Sequence, residues 1–129
     1  MLNAQAAFSG LSVNSLDEAR QFYVQVLGLI LDGENMGLQL RLPNGGRLFV
    51  YEKSDHQPAS FTVLNFVVSN IGEAVDELGS LGVTFERYED MPGVQDAKGI
   101  LRGLAANQGP DIAWFKDPAG NILAVLQDK

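Results

Sequence analysis

The chain of 129 residues has no cysteine and a single histidine. Without thiols there is no disulfide framework, no zinc–thiolate or iron–sulfur site and no thiol nucleophile. Basic residues are scarce too, with 9 Lys and Arg against 16 Asp and Glu, for a net charge of -7 at pH 7. That balance opposes the attraction to phosphate on which nucleic-acid binding depends. No apolar run approaches the roughly 18 residues that span a bilayer, and MLNAQAAFSG at the start lacks a basic segment followed by a long apolar one. The expectation is a cytoplasmic protein with neither nucleic acid nor membrane among its partners. There is no G-x-S-x-G elbow and no phosphate-cradling glycine pattern, and a lone histidine would have to serve any triad from a remote loop.

What the chain does contain is repetition. The stretch WFKDPAGNILAVLQ, residues 114–127, reads as a hairpin, with Pro118 pre-setting a turn dihedral and Gly120 free to take the left-handed conformation that closes a three-residue loop. Strands over about 111–116 and 121–127 follow from it. The segment LQLRLPNGGRLFVY, residues 38–51, has the same design, and an offset of 75 places Pro43 on Pro118 and Gly45 on Gly120. A second echo, at an offset of 55, superposes Leu11 to Ala19 on Phe66 to Ala74. Each half therefore runs from strand to helix to hairpin. Ser15 with Glu18, and Asn70 with Glu73, form capping boxes that start helices at about 16 and 71.

Helix one offers Leu16, Ala19, Phe22, Tyr23, Val26 and Leu27 at helical spacing; helix two offers Ile71, Ala74, Val75, Leu78 and Leu81. Gly28 and Gly82 end them. The longer second offset reflects about twenty residues inserted between Phe85 and Gln108, read as a loop. The length suits one domain over 1–129, built of modules 6–57 and 61–127.

Two βαβββ modules, with LDEARQFYVQVLG near the start and DPAGN near the end, resemble the vicinal oxygen chelate superfamily, which includes glyoxalase I, bleomycin-resistance proteins and extradiol dioxygenases. The resemblance implies an α+β fold whose tandem modules curl their sheets into one cup, often completed across a homodimer. It also implies a divalent metal held by one His or Glu from each of four strands. Carried onto this chain, those positions are Phe8, Val63, Phe49 and Ala124, none of which can coordinate a metal. The resemblance therefore implies no metal cofactor here, unless atypical ligands such as Glu52 or His56 hold one.

Strand parity supplies the faces. Leu11, Val13, Leu48, Val50, Leu64, Phe66, Val68, Leu123 and Val125 are expected to meet the helices. The opposite faces carry Phe8, Gly10 and Ser12; Val63, Asn65 and Val67; and Arg47, Phe49, Tyr51, Ile122 and Ala124. Hairpin closure pairs 41 with 47, 39 with 49, 114 with 124 and 112 with 122, which adds Gln39, Arg41, Ile112 and Trp114. Phe8, Phe49, Tyr51 and Trp114 would stack on an organic ligand, and Ser12, Gln39, Arg41 and Asn65 would orient it.

Plainer readings stand beside these. Trp114 could pack between sheet and helix, Phe8 and Phe49 could fill the cup, and Arg47 could be solvated. His56 reads as an exposed loop residue, and Glu86, Glu89 and Asp90 as a solvated acidic loop, while Arg102 could reach over the cup. Three functions follow: a metal-free binder of a small molecule of the bleomycin-resistance type, expected to be a homodimer; a glyoxalase-like lyase or isomerase with atypical metal ligands; or an interaction module with a filled cup.

Overall fold

Ser15 and Asn70 are extended, and each side chain accepts a hydrogen bond from the amide three residues on, Glu18 N at 3.3 Å and Glu73 N at 3.1 Å. These caps open the two helices of a computed structural model that describes residues 1–91 and 93–129. The other half of each box differs from expectation. Glu52 accepts from Leu16 N at 2.9 Å and Gln127 from Ile71 N at 3.0 Å, so the ends of two strands complete the caps.

The chain divides into two compact units, Met1–Pro58 and Ala59–Lys129. In the first, β1 (Ser9–Val13) leads to α1 (Leu16–Arg20), then β2 (Ile30–Glu34), β3 (Leu38–Arg41) and β4 (Arg47–Glu52). The sheet order is β1-β4-β3-β2, with β1 parallel to β4 and the other pairs antiparallel. Helix α1 widens into a π-helical segment over Gln21–Val26, where Leu27 N donates to Phe22 O. Phe22 and Tyr23 are both buried there and meet edge to face at 5.3 Å. Gly28, at φ 75, ends the helix.

In the second unit, β5 (Thr62–Val67), α2 (Ile71–Ser80), β6 (Leu101–Arg102), β7 (Asp111–Lys116) and β8 (Ile122–Gln127) form the sheet β5-β8-β7-β6 in the same pattern. The architecture is thus α+β, a βαβββ module in each unit. Both hairpins close as expected over Pro43–Gly45 and Pro118–Gly120, and Gly120 is left-handed at φ 86. Asp117, only 4% exposed, holds the second turn by accepting from Ala119 N and Asn121 N.

Leu11, Val13, Leu38, Leu40, Leu48 and Val50 are buried in the first unit, and Ala113, Phe115, Leu123 and Val125 in the second. Each large aliphatic side chain removed from water contributes about 1.5–3 kcal/mol. Leu64, Phe66 and Val68 share the expected face and are half-buried.

Two expectations need correction. Ile112 pairs with Leu126, and Ile122 pairs with Lys116, because an antiparallel ladder moves both partners away from the turn together. The insert between Phe85 and Gln108 is also more ordered than a plain loop. Phe85 bridges Phe115, Gln95 bridges Leu101, and β6 adds to β7. Gln95 accepts from Tyr88 N and donates to Glu86 O and Gly99 O, satisfying backbone groups that a loop would otherwise leave unpaired.

Candidate functional site

The pairs Gln39 with Phe49 and Arg41 with Arg47 put these four side chains on one face of β3 and β4, and Tyr51 follows Phe49 by two residues. The rings of Phe49 and Tyr51 stack at 5.8 Å with planes 18° apart. They face a cavity of about 670 Å³, lined by Phe8, Asn35, Met36, Gln39, Leu40, Arg47, Leu48, Phe49, Tyr51 and Glu52. That size accommodates a small organic molecule. Gly37 passes beneath the ring of Phe49, where a Cβ would sit 2.7 Å from Cζ.

Charge is organised at one side of the cavity. Arg41 Nη2 donates to Asp32 Oδ1 at 2.6 Å and Arg47 Nη1 to Asp32 Oδ2 at 3.0 Å, so two guanidiniums share one carboxylate. Ile30 lies opposite Arg41, so alternation sets Asp32 on the same face, and a bulge between Leu31 and Gly33 makes Asp32 the extra residue of β2.

Of the eight side chains expected to hold a ligand, Phe8, Gln39, Phe49 and Tyr51 line this cavity. Ser12, opposite Tyr51 in the parallel pair, shares a hydrogen bond of 2.6 Å with His56 Nδ1. His56 is consequently half-buried, which corrects its reading as an exposed loop residue. Arg41 is committed to Asp32. Asn65 and Trp114 belong to the second unit. Asn65 is exposed beside Ala124, while Trp114 lines a pocket of about 340 Å³ with Ser60, Phe61, Thr62, Tyr88, Asp90, Met91 and Ile122.

Trp114 lies on the face of Ala124 and away from α2, with Nε1 donating to Thr62 Oγ1 at 3.2 Å and its ring meeting Tyr88 edge-on at 5.5 Å. Burial, with the nearby Glu86 carboxylate, raises the Tyr88 phenol above its ordinary pKa against an opposing effect of Lys116. Glu86 is ion-paired to Lys116 at 3.3 Å. Arg102 bonds Asp96 and Asp111 at 3.0 and 3.1 Å, so its reach is to its own hairpin and insert.

Strand periodicity could not find Asn35 and Met36, which sit in the β2–β3 turn, nor Tyr88, Asp90 and Met91, which come from the insert. Glu52 has the parity of Leu48 and Val50, so alternation sets it on the helix-facing side and leaves it out of the expected lining.

The four positions at which the family resemblance expects metal ligands offer two phenyl rings, an isopropyl group and a methyl group, none with a donor atom. These residues do not fit a metal. Among the described residues, no group of three or more His, Asp or Glu side chains is arranged to hold one. The described residues also include no helix long and apolar enough to cross a membrane.

Tandem βαβββ modules of this kind define the vicinal oxygen chelate fold. The chain belongs to the Glyoxalase/Bleomycin resistance protein/Dioxygenase superfamily, whose family model matches residues 5–125. Among solved structures it is similar to TnmS3, an antibiotic binding protein from Streptomyces sp. CB03234, with TM-score 0.70 and 18% identity over 100% of both chains. It is similar also to a glyoxalase family protein from Enterococcus faecalis, with TM-score 0.69 and 21% identity over 98% of this chain and 99% of that one. A superfamily member from Sphaerobacter thermophilus DSM 20745 gives TM-score 0.66 and 21% identity over 98% and 100%. No curated protein matches the chain.

Proposed function

We propose that this protein binds a small, partly aromatic organic molecule without a metal, in the manner of the bleomycin-resistance branch of its superfamily. The observation that carries the reading is the stacked pair Phe49 and Tyr51 facing the 670 Å³ cavity, with Phe49 at a position where the family resemblance expects a metal ligand. A flat face of two parallel rings favours a planar ligand, and Gln39 on the same face supplies a hydrogen-bonding amide. TnmS3, an antibiotic binding protein of the same fold, lends the reading further support. In this reading the two modules work as one domain over 1–129 and two chains form a homodimer. Ser12 and Arg41 belong to the first unit's ligand-facing set, and Asn65 and Trp114 to the second unit's.

Native mass spectrometry of gently purified protein tests this by reading chain number, metal and retained ligand together. The expected result is a metal-free dimer, with a retained organic mass where ligand survives purification. A stoichiometric divalent metal would overturn the metal-free reading in favour of a lyase or isomerase with atypical ligands. A second measurement is thermal shift against a compound panel, since a molecule that prefers the native state raises Tm. Hits are expected to lose their shift in Phe49→Ala; no hit across a broad panel would favour the filled-cup interaction module.

A further inference from the structure

We infer that the cavity of the first unit selects ligands carrying a carboxylate, with Arg47 as the group that reads it; this rests on the cavity being a ligand site. The trio of Arg41, Arg47 and Asp32 carries two positive charges against one negative, and Asp32 spends both oxygens on the pair. Arg41 uses Nε and Nη2 on Asp32, whereas Arg47 gives it only Nη1, through a side chain that is 60% exposed and lines the cavity. Guanidinium presents five donors in a planar fork suited to a carboxylate, so Arg47 has donors left for one.

Glu52 is the acidic group in the cavity wall, and its Oε1 accepts the amide of Leu16 at the start of α1. The positive end of that helix offsets its charge. The protein's net charge of -7 acts at longer range and is screened beyond about 8 Å at physiological salt. Contact with Arg47 therefore decides the preference, and the planar surface of Phe49 and Tyr51 sets the rest of the ligand: an aromatic carboxylate.

Calorimetric titration with 2-naphthoate and its neutral isostere 2-naphthamide tests this. The expected result is a preference for naphthoate of about tenfold, the scale of one charge-assisted hydrogen bond. The preference should shrink as salt is raised, and fall to within about twofold in Arg47→Gln, chiefly through loss of naphthoate affinity. Arg47→Lys, which keeps the charge and loses the fork, should retain an intermediate preference. Equal affinities in the native protein, or an undiminished preference in Arg47→Gln, would overturn the carboxylate inference and leave the cavity reading intact. Binding of either compound that survives Phe49→Ala unchanged would place it elsewhere and sink both.

Discussion

Glu52 Oε1 accepts the backbone amide of Leu16 at 2.9 Å, tying the last residue of β4 to the first of α1. Gln127 and Ile71 repeat the contact at 3.0 Å in the second unit, at the same offsets of 75 and 55 that relate the two halves of the sequence. One copy is charged and the other neutral. An acidic group at a helix N-terminus is favoured by roughly 0.3–1 kcal/mol, so Gln127→Glu should stabilise the protein by about that amount at neutral pH. Glu52→Ala should cost about 1 kcal/mol, as other lost caps do. Urea unfolding of the two variants checks both signs, and a stabilised Glu52→Ala would show the contact to be incidental.

The offsets also measure how much was legible in the sequence. Gly10 pairs with Phe49 and Asn65 with Ala124; Gln39 pairs with Phe49 and Trp114 with Ala124. Every one of these registers obeys the two offsets, because hydrophobic alternation and turn chemistry fix a strand's partner and its face together. Asp32 lies in β2, a strand that neither hairpin pattern nor either offset marks, so its place between two arginines leaves no trace in the sequence. The insert was likewise opaque. Its order comes from Gln95 and Asp96 side chains bonding to backbone several residues away, which leaves no periodic trace.

Asp96 gives that insert a pH-dependent anchor. Its carboxylate accepts from Ile100 N and Lys98 N at 2.9 Å and from Arg102 Nε at 3.0 Å. Burial pushes its pKa up, and the Ile100 amide, Arg102 and the Lys98 amide more than offset this, leaving it below the ordinary carboxylate value. A carboxylate with a depressed folded pKa contributes stability that is present above the unfolded value near 4 and lost as pH falls through the folded one. Asp96→Asn should therefore be less stable than the native protein at pH 7, and the difference should close as pH is lowered below about 4. Thermal melts across pH 3–7 read the gap; a constant difference would rule out the ionised form as its source.

Tyr88 carries a different cost. Among the described residues its hydroxyl is the buried side-chain polar atom without a hydrogen-bond partner, although its ring is well placed against Trp114. A buried hydroxyl left unpaired costs about 1–3 kcal/mol. Tyr88→Phe keeps the edge-on contact and removes the orphan, so it should raise stability by about 1 kcal/mol or more, roughly 4 °C in Tm for a chain of this size. The sign reverses the usual loss on truncating a buried residue. The raised phenol pKa adds that the native protein should weaken relative to the variant as pH rises past 10, where the unfolded chain ionises first. A variant melting below the native protein would mean that the hydroxyl has a partner.

Gly37 joins stability to the cavity. A Cβ at this position would lie 2.6 Å from the carbonyl oxygen of Val50 and 2.7 and 2.8 Å from Cζ and Cε1 of Phe49. The φ of 159° is a conformation that L side chains rarely adopt, so a substitution meets backbone strain as well as the steric clash. Val50 O belongs to β4 and cannot yield without disturbing the ladder to β3, whereas the Phe49 ring can rotate away from Tyr51. Gly37→Ala should cost about 1–3 kcal/mol, as overpacking of a filled site does, and should break the parallel stack that the proposed ligand uses. Two readouts separate these effects. Urea unfolding measures the first, while binding of a compound that stabilises the native protein, assayed well below the variant's Tm, measures the second. A variant that is destabilised yet binds with native affinity would show that the Phe49–Tyr51 stack does not carry recognition.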